Sequence, residues 1–139
     1  MNNFKTILET FNVKKPGTIH FGKPKISKKY GLNVEFNIKI DIEGENSTYH
    51  TVDFDTDGYH DSIGMTTGTK FGGTMIDNVS FDSIIFDKSS SKKEYHIIAK
   101  KKNKEIVVIG MDNADEYYPS IILKGIPGAI EKAINSYHD

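Results

Sequence analysis

Between positions 32 and 42 the chain alternates without a miss. Leu32, Val34, Phe36, Ile38, Ile40 and Ile42 are apolar, and Asn33, Glu35, Asn37, Lys39 and Asp41 fall between them. Successive side chains of a strand point to opposite faces, so the pattern predicts a strand buried on one face and wet on the other. Gly44-Glu45-Asn46-Ser47 reads as a turn, and a second strand, roughly Thr48 to Phe54, pairs back as a hairpin. Further strands are predicted from Val79 to Phe86, Tyr95 to Lys100 and Glu105 to Met111, running as an antiparallel meander. The lysine-rich stretch 18–30 is broken by Pro24, which allows at most an edge strand near Thr18 to Phe21.

A different period marks the two ends. Phe4, Ile7, Leu8 and Phe11 recur at helical spacing, and Asn2 or Asn3 can cap the start, so residues 2–12 read as a short amphipathic helix. Near the other end, Gly125-Ile126-Pro127 introduces a helix whose Ile130, Ala133, Ile134 and Tyr137 form one apolar stripe, with Pro127 at the first helical position. The expected fold is therefore α+β. A mostly antiparallel sheet of five to six strands carries an N-terminal and a C-terminal helix packed on it, in a single domain over residues 1–139.

Composition narrows the chemistry. The 139 residues include no cysteine, which removes disulfides, thiolate metal sites and thiol nucleophiles. All 18 basic residues are lysine. Without arginine there is no bidentate fork for phosphate, carboxylate or guanine, which disfavours specific nucleic-acid readout and arginine-clamped phosphoryl transfer. The richness in lysine, asparagine and isoleucine fits the AT-rich genome of a low-GC bacterium or its phage. No apolar run is long enough to span a membrane, and the N-terminal residues do not form a secretory signal, so a cytoplasmic location is expected.

The net charge of −1 hides segregation. Residues 1–30 hold seven lysines against Glu9, residues 31–61 hold eight acids against Lys39, and residues 91–104 hold six lysines against Glu94. If these blocks occupy different surfaces, the molecule has an acidic face and basic faces that steer a charged partner. The alternative is that they only solvate loops and outer strand faces.

The acidic block ends in DFDTDGYHD, residues 53–61. Alternate aspartates around a glycine can aim several oxygens at one point, which is what calcium requires. Asp53, Asp55 and Asp57 would give carboxylates, Tyr59 its carbonyl and Asp61 a further carboxylate. Locally the stretch resembles the D-x-D-x-D-G-x-x-D calcium loops of integrin-α-like propeller repeats, which continue into a small apolar strand and a glycine, as Asp61-Ser62-Ile63-Gly64 does here. The likeness covers about twelve residues of the chain and implies one divalent ion, not a propeller. It is less similar to an EF-hand, which closes on glutamate at position twelve, where this chain has Gly64. His50 or His60 could join the aspartates, which would suit zinc or manganese better than calcium. The competing reading is an acidic hairpin turn, with Asp53 and Asp55 facing water and Asp57-Gly58 as an ordinary turn pair.

Other catalytic signatures are missing. There is no G-x-S-x-G elbow and no dinucleotide fingerprint, and GMTTGTKF (64–71) fails the spacing of a phosphate-binding loop. The segment from Gly64 to Gly73 reads as a flexible hairpin or lid. His96 falls on a strand face as a lone histidine. Lysines near Ile19, Phe21 and Tyr30 offer a basic surface interleaved with large side chains, which single-stranded nucleic acid could use, but the chain as a whole is not basic. The expected function is thus a small non-enzymatic binding protein that covers a protein partner's basic surface. Immunity proteins and anti-CRISPR-like anti-defence proteins are of this size and kind. Its docking face would be Asp41, Glu43, Glu45, Asp53, Asp55, Asp57 and Asp61. The alternative function is a divalent-metal-binding domain in which the ion is structural rather than hydrolytic.

Overall fold

The computed structural model describes residues 10–56, 61–68, 70–89, 94–112 and 120–136. The elements are β1 (Thr10–Val13), β2 (Gly17–Gly22), β3 (Lys25–Ser27), β4 (Leu32–Ile42), β5 (Thr48–Thr56), β6 (Asp61–Gly68), β7 (Met75–Phe81), β8 (Ser83–Ser89), β9 (Glu94–Lys101), β10 (Lys104–Asp112), β11 (Ser120–Lys124) and α1 (Gly128–Asn135).

The strand β4 follows its sequence pattern residue by residue. Its six apolar side chains are buried and the five between them are partly exposed. Each buried side chain of this size contributes about 1.5–3 kcal/mol over leaving it in water. β4 pairs with β5 on one side, and on the other with β2 over residues 38–42 and with β3 over residues 33–35. β2 and β3 pair in turn along the same side of β4 and are interrupted at Lys23-Pro24, where proline has no N–H to give the ladder. The Lys23 N–H instead donates to the Thr74 carbonyl at 2.9 Å.

The strands form two antiparallel sheets. One has five strands in the order β1-β8-β9-β10-β11, and the other runs β6-β5-β4-β2-β7 with β3 added against β4. Both contribute to one core, Ile84, Ile97, Ala99, Val107 and Ile109 from the first sheet meeting Ile19, Phe21, Phe36, Ile38 and Ile40 from the second. The helix packs against β4 and adds Ile130, Ala133 and Ile134 to that core.

The single sheet with two flanking helices is thereby corrected. The architecture is two sheets and eleven strands among the described residues, with one helix of eight residues. Residues 10–12, read as the end of an N-terminal helix, begin strand β1, and residues 1–9 lie outside the described residues. Phe11, a member of the predicted helical stripe, stands in register with Phe86 of β8. Tertiary pairing overrode a weak local preference there. β2, expected at an edge, lies between β4 and β7. The predicted strand Val79 to Phe86 is two strands. Phe81 and Ile84 are both buried although three residues apart, so the alternation changes phase between them and Asp82 carries the chain from one sheet to the other. Pro127 occupies the N-cap rather than the first helical position.

Two consecutive links make the corner between the sheets. β1 runs into β2 through Lys14-Lys15-Pro16, and β7 runs into β8 through Asp82. β1 pairs with β8, and β2 with β7, so one antiparallel ribbon bends out of one sheet and into the other. From Val13↔Ile84 to Gly17↔Phe81 the first chain advances one residue more than the second, which is a bulge at the bend. Gly17 sits at this point, where a Cβ would stand 2.1 Å from the Asp41 carbonyl oxygen and 2.6 Å from the Phe81 ring.

Candidate partner-binding surfaces

The outer face of the six-stranded sheet is polar because β4 and β5 present their alternate residues there. Register places Asn33 opposite Asp55, Glu35 opposite Asp53, Asn37 opposite Thr51 and Lys39 opposite Tyr49. On the far side of β4, Lys25 stands opposite Glu35, and His20 opposite Lys39. The Asn33 side-chain amide donates to Asp55 Oδ1 at 2.6 Å, and the Thr51 hydroxyl donates to Asn37 Oδ1 at 2.8 Å.

The connection between β6 and β7 crosses this face. Those strands are the two opposite edges of the sheet. Asn37 Nδ2 donates to the Gly72 carbonyl at 3.1 Å, and the Phe71 ring lies over Gly22, where a Cβ would come within 2.8 Å of it. The glycine-rich segment read as a flexible hairpin or lid is in part strand β6 and in part this strap, which divides the outer face in two.

On one side of the strap lies a cluster centred on Asp41. His20 Nε2 is 2.9 Å from Asp41 Oδ2, the Ser47 hydroxyl donates to Asp41 Oδ1, and Lys39 Nζ is 3.9 Å from Oδ2. The Asp41 carboxyl is held below its ordinary value of 3.8, mainly by the Ser47 hydrogen bond, with His20 and Lys39 assisting against partial burial. The three residue types are those of a hydrolytic triad, but their order differs. The serine hydroxyl is given to the carboxylate rather than to the imidazole, so no base is placed to activate it. The arrangement ties β2, β4 and the turn after β4 together.

On the other side of the strap are Glu35, Asp53 and Asp55. They share one face in neighbouring register positions, and none has an ion-pair partner among the described residues.

The remaining predicted site residues separate. Glu45 pairs with Lys15 at 3.2 Å, and Glu43 is exposed beyond the end of β4. Asp61 is opposite Thr56, the neighbour by alternation of buried Ile63, so it leaves β6 on the parity opposite to Asp53 and Asp55. Asp57, Tyr59 and His60 lie outside the described residues. Among the described residues, no three histidine, aspartate or glutamate side chains converge as a set able to hold a metal ion. His50 shares the inner parity of Val52 and Phe54, away from Asp53 and Asp55. Its ring is 6.2 Å from that of Phe86, and burial pushes its imidazole below 6.5. His96 lies on β9. Of the side chains read as a basic, ring-bearing surface, Ile19 and Phe21 are core, which leaves Tyr30, 86% exposed with Lys29 Nζ 5.4 Å from its ring centroid.

Two clefts adjoin at the sheet corner. One, of about 510 Å³, is lined by Thr18, Asp41, Glu43, Ser80, Asp82 and Lys101 among others. The other, of about 320 Å³, is lined by Asn12, Lys14, Asp82, Ser83, Lys100 and Asn103, with Ile85. Asp82 belongs to both. Two lysine-rich stretches far apart in sequence meet in the second cleft, which the charge pattern could not reveal. The chain matches no family model, no curated protein and no solved structure.

Proposed function

We propose that this chain is a non-enzymatic binding protein that docks the acidic outer face of its six-stranded sheet onto a basic protein partner. One observation carries the reading: Glu35 and Asp53 stand directly opposite one another, with Asp55 on the same face, and among the described residues no ion pair closes on them. Like charges directly opposite in a sheet cost stability, and complementary charge on a partner relieves that cost while steering the encounter. Asp41, Glu43 and the acidic cleft continue the same sign of charge beyond the strap. Its mode of action is occlusion of the partner's basic surface, as in an inhibitor or immunity protein. Its compartment is the cytoplasm, in keeping with a cysteine-free chain; among the described residues no helix is long and apolar enough to cross a membrane.

The test is affinity capture on the wild-type chain and on the E35Q/D53N/D55N variant at low and high salt. A protein held by the wild type at low salt, and released both by the three substitutions and by salt, is expected. Retention that ignores both removes this reading.

A further inference from the structure

We propose that the basic cleft at the sheet corner binds a phosphoryl oxyanion. This site is separate from the acidic face and stands or falls independently of it. Lys14 and Lys100 both line the cleft, together with Asn12, Asn103 and Ser83. Among the described residues neither lysine has a carboxylate partner, whereas Lys15, the next residue along, is paired with Glu45.

The hairpin beside the cleft is built at a cost. Lys102 and Asn103, the two residues between β9 and β10, have φ of 54° and 64°. Such a turn favours Asn-Gly or Gly-Gly, because side chains resist the left-handed conformation. Lys101 and Lys104 stand directly opposite each other at its base, a second unfavourable feature. The Asp82 carboxylate accepts the Lys102 N–H at 2.9 Å and holds the turn in place. Strain of this kind at the rim of a cleft points to what the turn presents, here an amide and a concentration of positive charge.

The donor set selects the ligand. Arginine matches a planar carboxylate bidentately, whereas lysine acts as a point charge. Two lysines, two asparagines and a serine brought to one cleft from different elements are residue types that suit a tetrahedral oxyanion. The volume of about 320 Å³ lies at the lower end of small-molecule sites, enough for one or two phosphoryl groups and not for a duplex. Asp82 is the one acid in the lining, and its charge opposes the ligand.

The probe is inorganic pyrophosphate titrated into isotopically labelled protein, followed by amide shifts. Saturable shifts at Asn12, Lys14, Ser83, Lys100 and Asn103 are expected. Lys14→Gln and Lys100→Gln should each weaken binding about tenfold, as loss of one charge-assisted hydrogen bond does. Lys25→Gln, on exposed β3, should leave it unchanged. Asp82→Asn keeps a hydrogen-bond acceptor and removes the opposing charge, so it should tighten binding. Absence of saturable shifts, or equal weakening by Lys25→Gln, overturns the proposal. So does a single-stranded oligonucleotide that binds this surface and is not displaced by pyrophosphate, because the lysines would then serve a backbone across the surface rather than a group in the cleft.

Discussion

At the scale of single residues, Lys102 and His50 carry the clearest consequences. A left-handed φ costs a side-chain-bearing residue about 1–2 kcal/mol relative to glycine. Lys102→Gly is therefore expected to raise stability by about 1 kcal/mol, read as a higher denaturant midpoint with an unchanged slope. An unchanged or lower midpoint would show that the turn is not strained. His50 makes stability depend on pH. Its folded value lies below 6.5, so the unfolded chain takes up this proton first as pH falls. The contribution of neutral His50 is complete above 6.5 and declines as pH drops from there toward the folded value. Asp41 is also lowered, so its contribution is present above 3.8 and is lost as pH falls through its folded value. Melting temperature should thus fall in two stages on acidification. His50→Leu should flatten the first and leave the second; if the wild-type curve is flat between pH 7 and 5, the burial of His50 is not felt.

At the scale of elements, legibility followed regularity. β4 was readable to the residue because six core positions alternate without interruption, and β9 and β10 were readable as short apolar runs on either side of the Lys101–Lys104 turn. β1, β3, β6 and β11 escaped. β6 is rich in glycine and threonine and buries only Ile63 fully, so its pattern resembled a loop. The break at Asp82 is visible once the phase change between Phe81 and Ile84 is noticed, although an unbroken apolar run is the simpler reading. The corner itself depends on Gly17. A methyl group there meets backbone on one side and a buried ring on the other, neither of which can retreat cheaply. Gly17→Ala should cost about 3 kcal/mol or more, at the upper end of overpacking effects. Thermal melting measures it, and a loss below 1 kcal/mol would mean that the bend can relax.

At the scale of the whole molecule, the candidate surfaces were only half legible. The acidic block ran through two strands that pair with each other, so its carboxylates were bound to meet on one face, and parity alone divides Asp53 and Asp55 from Asp61. The His20–Asp41–Ser47 cluster and the basic cleft could not be read in advance, because they depend on β2 pairing with β4 and on β1 pairing with β8. The same ribbon imposes an order on folding. β4, β5 and β6 are neighbours in both sequence and space and can pair as they form, as can β8 through β11. Among the described residues β1 has a single partner, β8, which is synthesised some seventy residues later, and closing so long a loop comes at an entropic cost before any contact rewards it. On a ribosome the first described strand therefore waits longest. The basic cleft, to which β1 contributes Asn12 and β8 contributes Ser83 and Ile85, comes into being only with that pairing.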